Sequence, residues 1–248
     1  MDLILIAAIA ILNLFVAFFG ASVGGSGLVM TPVLMSLGVP APSAVAAKRF
    51  SNLGLSSFSL VKFQREGKVI WRIGLPLVAV AMTAAYITAN IVLTIDETVL
   101  QRIIGAVILG VLGFMILNKK FGLEEKARRM RKRNKVLGAV FYFLAVMTAN
   151  FSGGGGILTS YVLIFFFGLT FIYAAGTRKV AGIMSTITSV LVYIAAGVIP
   201  YEIAVPMLAT GAVGGWTGSH YAIKKGDAWV RRVFMVVITI LGIRLLLF

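Results

Sequence analysis

The chain predicts an all-α polytopic membrane protein of two inverted-topology repeats. Each repeat holds about five helical segments, with Gly-broken re-entrant or discontinuous helices at the centre. The first observation behind this is composition. Of 248 residues, 60% are apolar and 12% charged, far from the roughly one quarter charged of a soluble domain. Apolar runs of bilayer-crossing length, about 20 residues, recur throughout. The second is duplication. Ala21-Ser22-Val23-Gly24-Gly25-Ser26-Gly27-Leu28 returns 130 positions later as Phe151-Ser152-Gly153-Gly154-Gly155-Gly156-Ile157-Leu158. At the same offset Gly38 meets Gly168, Ser59 meets Ser189, Gly67 meets Gly197, Pro76 meets Pro206, Arg102 meets Arg232, and Lys48-Arg49 falls on Arg178-Lys179. Apolar coincidences are cheap in such a chain, but aligned Gly, Pro and paired cations are not.

The third observation is the sign of the loops. Residues 119–135 carry nine cations against Glu124 and Glu125, so this linker is expected on the cytoplasmic side. The basic loop 62–72 reads cytoplasmic, and 94–98, with Asp96 and Glu97, reads outside. In the second half the signs exchange. Lys224-Lys225-Gly226-Asp227 with Arg231-Arg232 reads inside, and 192–202, without a cation, reads outside. The expected division is therefore a first membrane repeat 1–118, a basic cytoplasmic linker 119–135, and a second, inverted repeat 136–248. The protein is placed in the cell membrane with several crossings, eight to ten, and both termini outside.

Residues 3–20 are read as an apolar helix rather than a signal peptide, because no basic region precedes Leu3 and no small-residue cleavage site follows. A short helix, 27–37, ends at Gly38-Val39-Pro40-Ala41-Pro42; at 1.5 Å per residue it spans about 16 Å, half a bilayer. Irregular backbone at that depth is tolerated only where protein or a water-filled cavity covers it. Helices follow at 43–63, 71–94 and 99–118. The second half repeats them at 136–150, 157–168, 173–195, 200–223 and 229–247. Trp71, Trp216 and Trp229 are assigned to interfaces or helix packing, and His220 to the cytoplasmic end of its helix.

The expected site lies where the two breaks meet. Helices starting near Gly27 and Gly156 present free N–H groups and positive dipole ends, which suits a small oxyanion. Ser22, Gly24, Gly25, Ser26 and Gly27 from the first break join Ser152, Gly154, Gly155 and Gly156 from the second. The competing reading is tight helix crossing by small residues. Lys48, Arg49, Arg178 and Lys179 lie inside helices, where a charge costs at least ~2.5 kcal/mol and usually faces a cavity; snorkelling to headgroups is their alternative. Neighbouring helix positions point about 100° apart, so one member of each pair is expected to point elsewhere. Asn52, with Ser51, Ser56, Ser57, Thr186, Thr188 and Ser189, makes the same helices polar on one side.

Absences narrow the chemistry. All eight carboxylates (Asp2, Glu66, Asp96, Glu97, Glu124, Glu125, Glu202, Asp227) fall in expected loops, termini or helix ends. No mid-membrane carboxylate is then available for a proton relay or cation site. Coupling is left to titration of the substrate, a sodium ion on backbone carbonyls, or none. There is no cysteine and a single histidine; no enzyme, metal centre or cofactor is expected. The net charge of +15 is assigned to orientation and anionic lipid rather than nucleic acid.

Gly20-Ala21-Ser22-Val23-Gly24-Gly25-Ser26-Gly27-Leu28, Pro32, Leu37-Gly38-Val39-Pro40 and Ala44-Val45-Ala46 resemble the sulfite exporter TauE/SafE family, permease-like transporters of sulfonates and related anions. In the second half Gly153–Gly156, Gly168 and Ala174-Ala175-Gly176-Thr177 carry the likeness. Lys48-Arg49 departs from the family's Gly-Thr-Ser-like turn. The resemblance implies outward transport of sulfite, of organosulfonates such as sulfoacetate, or of small carboxylates. The expected function is thus a secondary transporter of a small anion by alternating access. Its rivals are an anion channel on the same scaffold and a non-transporting membrane scaffold. Membrane lipid is the other expected partner, and a homodimer is compatible with this reading.

Overall fold

The computed structural model describes residues 2–96, 98–100, 102, 103, 106, 132–151, 156–230 and 232. All regular structure among the described residues is helical. The first half contains α1 (Leu3–Ser22), α2 (Ser26–Ser36), α3 (Ala41–Arg65), α4 (Trp71–Gly74) and α5 (Pro76–Thr94). The second contains α6 (Lys132–Phe151), α7 (Gly156–Phe167), α8 (Phe171–Ala195) and α9 (Tyr201–Lys225).

Helix ends recur at the 130-residue spacing. Ser26 opens α2 and Gly156 opens α7; Ala41–Arg65 matches Phe171–Ala195; Trp71 opens α4 and Tyr201 opens α9. The connecting turns recur with them. Gly38 and Gly168 take φ of 84° and 68°, and Gly67 and Gly197 take 66° and 67°, a left-handed backbone that side chains other than glycine rarely adopt. Each ends a helix with the next N–H reaching back, as in Val39 to Leu34 O and Lys68 to Phe63 O.

Packing is reciprocal between the halves. α9 lies along α3 and α1, while α5 lies along α8 and α6; α3 and α8 pack on each other at the centre. α9 comes close because its contact faces are glycine. A Cβ on Gly211 would stand 2.8 Å from Ser51 O, and one on Gly214 would stand 2.6 Å from Leu14 O. The counterpart positions on α5 are Ala81 and Ala84, both fully buried. Small residues at such contacts let membrane helices approach backbone to backbone.

Among the described residues, three helices are long and apolar enough to cross a membrane: Leu3–Ser22, Pro76–Thr94 and Phe171–Ala195. α3 and α9 are at least as long, 25 residues each. Their polar and small residues face protein instead of lipid: Lys48, Ser51 and Ser59 of α3 are fully buried. Large apolar side chains such as Leu3, Ile4 and Phe15 remain exposed, as a lipid-facing surface requires.

Some boundaries differ from those expected. The helix expected at 71–94 is interrupted at Leu75, where Pro76 lacks the N–H that would continue the ladder. α6 starts at Lys132, inside the stretch expected as linker, and α3 starts at Ala41, with Pro42 in its first turn, a position where its missing donor costs nothing. Trp216 packs under the end of α3, with Arg65 at 5.4 Å and Lys62 at 5.8 Å from its ring. Residues 107–131, with most of the basic linker and of the helix expected at 99–118, and 233–248, with most of the one expected at 229–247, lie outside the described residues.

Candidate functional site: a cation-lined cavity between two helix starts

The chain leaves α1 at Ser22 and turns through Gly24 and Gly25, whose φ values are 87° and 77°. Both glycines face the start of α7. A Cβ on Gly24 would stand 2.6 Å from the Gly156 carbonyl carbon, and one on Gly25 would stand 2.5 Å from Ile157 Cδ1. The first turns of α2 and α7 therefore meet, each bringing N–H groups without an intrahelical partner and the positive end of a helix dipole.

A cavity of about 70 Å³ opens beside this junction. Gly20, Gly24 and Ser26 come from the first break, Arg49, Asn52 and Ser56 from α3, Tyr142 and Asn150 from α6, Gly156 and Thr159 from α7, and Arg178, Lys179, Ser185 and Thr186 from α8. Of the residues picked from the sequence, Gly24, Ser26, Arg49, Asn52, Gly156, Arg178 and Lys179 line it. Gly25 and Gly27 are buried beside it without lining it. Ser22 is turned to its own helix, its Oγ donating to Phe19 O at 3.2 Å. Ser152, Gly154 and Gly155 lie outside the described residues.

All four cations are inside the protein. Relative exposure is 0% for Lys48, 4% for Arg49, 8% for Arg178 and 2% for Lys179. Their side chains are packed inside protein rather than laid along its surface. Lys48 Nζ donates to Asn13 Oδ1 on α1 at 3.1 Å. Asn13 Nδ2 donates in turn to Met207 O at 2.8 Å and to Ser51 Oγ and Thr210 Oγ1 at 3.1 Å. This node ties α1, α3 and α9 together and turns Lys48 away from the cavity, while Arg49 lines it. On α8 both Arg178 and Lys179 line the cavity, contrary to the expectation that one would turn away. The longer Arg178 side chain reaches across to the end of α1, where Nη2 donates to Gly20 O and Ala21 O, each at 3.2 Å. Cations at a helix C-terminus complement its dipole. Gly156 permits this passage, because a Cβ there would collide with the guanidinium.

The cations have no carboxylate among the described residues. An ion pair of Lys62 with Glu66, at 2.7 Å, lies at the end of α3, away from them. Asp227 is committed elsewhere: its Oδ1 accepts the Ile172 N–H at 2.7 Å and caps α8. Several donors at the cavity are unpartnered, namely Nε and Nη2 of Arg49 and Nε of Arg178. Asn150, also on the wall, has neither amide atom bonded. Buried polar groups are normally satisfied, and these atoms have no protein partner. Asn13 and Asn150 escaped the sequence reading, although an asparagine within an apolar run is a legible signal.

The comparisons with known proteins agree on what the chain resembles. It is 24% identical over 237 residues to a probable membrane transporter protein of Haemophilus influenzae, covering 94% of this chain and 91% of that one. It is 22% identical over 248 residues to the probable membrane transporter protein YfcA of Escherichia coli K12, covering 98% and 90%. A probable membrane transporter protein, ORF9, of Sinorhizobium matches at 22% over 249 residues, 98% and 92%. No solved structure matches the chain. The model of one family, described as sulfite exporter TauE/SafE, spans residues 9–245. With a helical apolar fold and relatives matched nearly end to end, this chain belongs to the TauE/SafE family of membrane transporters and is not an enzyme.

Proposed function

We propose that the protein is an alternating-access carrier of the cell membrane that exports a small oxyanion, sulfite or a small organosulfonate, held at the junction of the two helix breaks. One observation carries this reading: four cations are buried around or beside a cavity, and no described carboxylate balances them. An unpaired buried charge costs several kcal/mol (an order of magnitude), so the arrangement favours an anion as its counter-charge. The two helix starts add N–H donors and positive dipole ends at the same place. Anchored on Arg49, Arg178 and Lys179, the anion would sit between the halves. The matched helix boundaries, the reciprocal packing and the opposite loop charges support inverted repeats that rock about it.

The test is anion binding by purified protein, measured by calorimetry and thermal shift against sulfite, sulfate, thiosulfate, sulfoacetate, acetate and chloride. Saturable binding of a sulfur oxyanion is expected, lost when Lys48, Arg49, Arg178 and Lys179 are all changed to Gln in a variant that still folds. Binding indifferent to these changes would sink the proposal. In vesicles, a carrier gives saturable flux with counter-transport; unitary currents would assign a channel instead.

A further inference from the structure

The groups left unpartnered at the cavity specify more than a negative charge. Nε and Nη2 of Arg49 carry the N–H bonds along one edge of the guanidinium, and both are buried without an acceptor. Two parallel donors on one planar edge match two oxygens of a single carboxylate or sulfonate group. Asn150 asks for something different. It is 1% exposed, it lines the same cavity, and neither Nδ2 nor Oδ1 is bonded. Its nitrogen only donates and its oxygen only accepts; whichever way the amide is turned, one side needs a donor. The oxygens of a bare anion cannot supply one.

We propose that the preferred anion carries its own hydrogen-bond donor, a hydroxyl beside the charged group of a one- or two-carbon sulfonate or carboxylate, with Arg49 reading the oxygens and Asn150 the hydroxyl. This rests on the anion-carrier reading and narrows it. Volume points the same way. At about 10–15 Å³ for each water-sized body, a cavity of about 70 Å³ holds a ligand on the order of five or six non-hydrogen atoms. Hydroxymethanesulfonate and glycolate are of that size.

Matched pairs test the proposal on the purified full chain: methanesulfonate against hydroxymethanesulfonate, and acetate against glycolate, by calorimetry. On the wild-type protein the hydroxylated member of a pair should bind roughly 10- to 100-fold tighter, the range expected for one buried hydrogen bond made or left unmade. Asn150→Leu, with its fold checked by thermal unfolding, should bring the gap to within about twofold. Arg49→Lys keeps the charge and loses the fork, so it should weaken both members of a pair alike. Equal binding of the two members by wild type overturns the inference while leaving the anion reading standing, and so does a gap that survives Asn150→Leu. If no member of either pair binds to folded wild-type protein, the inference falls, and the sulfite and thiosulfate arms of the binding panel decide the anion reading. The wild-type comparison decides the inference even if a variant does not fold.

Discussion

Gly156 is where one missing methyl group sets the site. Its hydrogen lets the Arg178 guanidinium pass from α8 to the terminal carbonyls of α1. Gly156→Ala should push the guanidinium off Gly20 and Ala21, forfeiting hydrogen bonds from a charged group of about 1.5–3 kcal/mol. Because the obstructing atoms belong to the far end of a flexible side chain, the fold should survive. Thermal unfolding should show the modest loss, and anion binding should fall by about tenfold or more. At the membrane edge a different residue is readable by pH. Glu66 is held below the usual carboxylate range, first by its hydrogen bond from Lys62 and then by that cation's charge. Its stabilising contribution is therefore present above the ordinary glutamate value and fades as pH falls through the lowered one. Lys62→Gln should move the Glu66 titration upward in an NMR pH series; an unchanged midpoint would refute the pairing.

Among the elements, the contacts of α8 explain residues that the sequence presented only as a motif. Gly176 lets the Lys68 carbonyl approach, and Thr177 Oγ1 accepts the Ile70 N–H at 3.0 Å. At the counterpart positions Pro200 replaces Ile70 and Ala47 replaces Thr177. Where the donor is absent, so is the acceptor. Thr177→Val should then cost about 1–2 kcal/mol by stranding the Ile70 N–H. The counterpart Ala47→Thr should gain no stability, because Pro200 has nothing to donate. Unfolding in detergent measures both. α9 makes the stronger demand on size. Gly211→Leu would drive a branched side chain into the backbone of α3 at Ser51 and should lower stability by about 1–3 kcal/mol or prevent folding. These glycines were legible as letters but not as contacts, since nothing local shows which helix lies opposite.

At the scale of the whole molecule the issue is which way each half faces. Glu66 and Ala196 occupy equivalent positions, both exposed after the last turns of α3 and α8. The native chain contains no cysteine, so Glu66→Cys and Ala196→Cys each report one position. With inverted repeats, a membrane-impermeant thiol reagent added outside should label Cys at 196 and spare it at 66; labelling of both from one side would exclude inversion. The helical class follows from composition, and the matched positions of the glycine clusters and of Lys48-Arg49 and Arg178-Lys179 follow from spacing along the chain, which acts locally and repeats. The partner of each cation does not. Lys48 turns to Asn13, Arg178 crosses to α1, and Asn150 joins Arg49 at one cavity wall, because side-chain length and the closeness of glycine-faced helices decide reach. Those distances exist only after residues more than a hundred positions apart have been packed together.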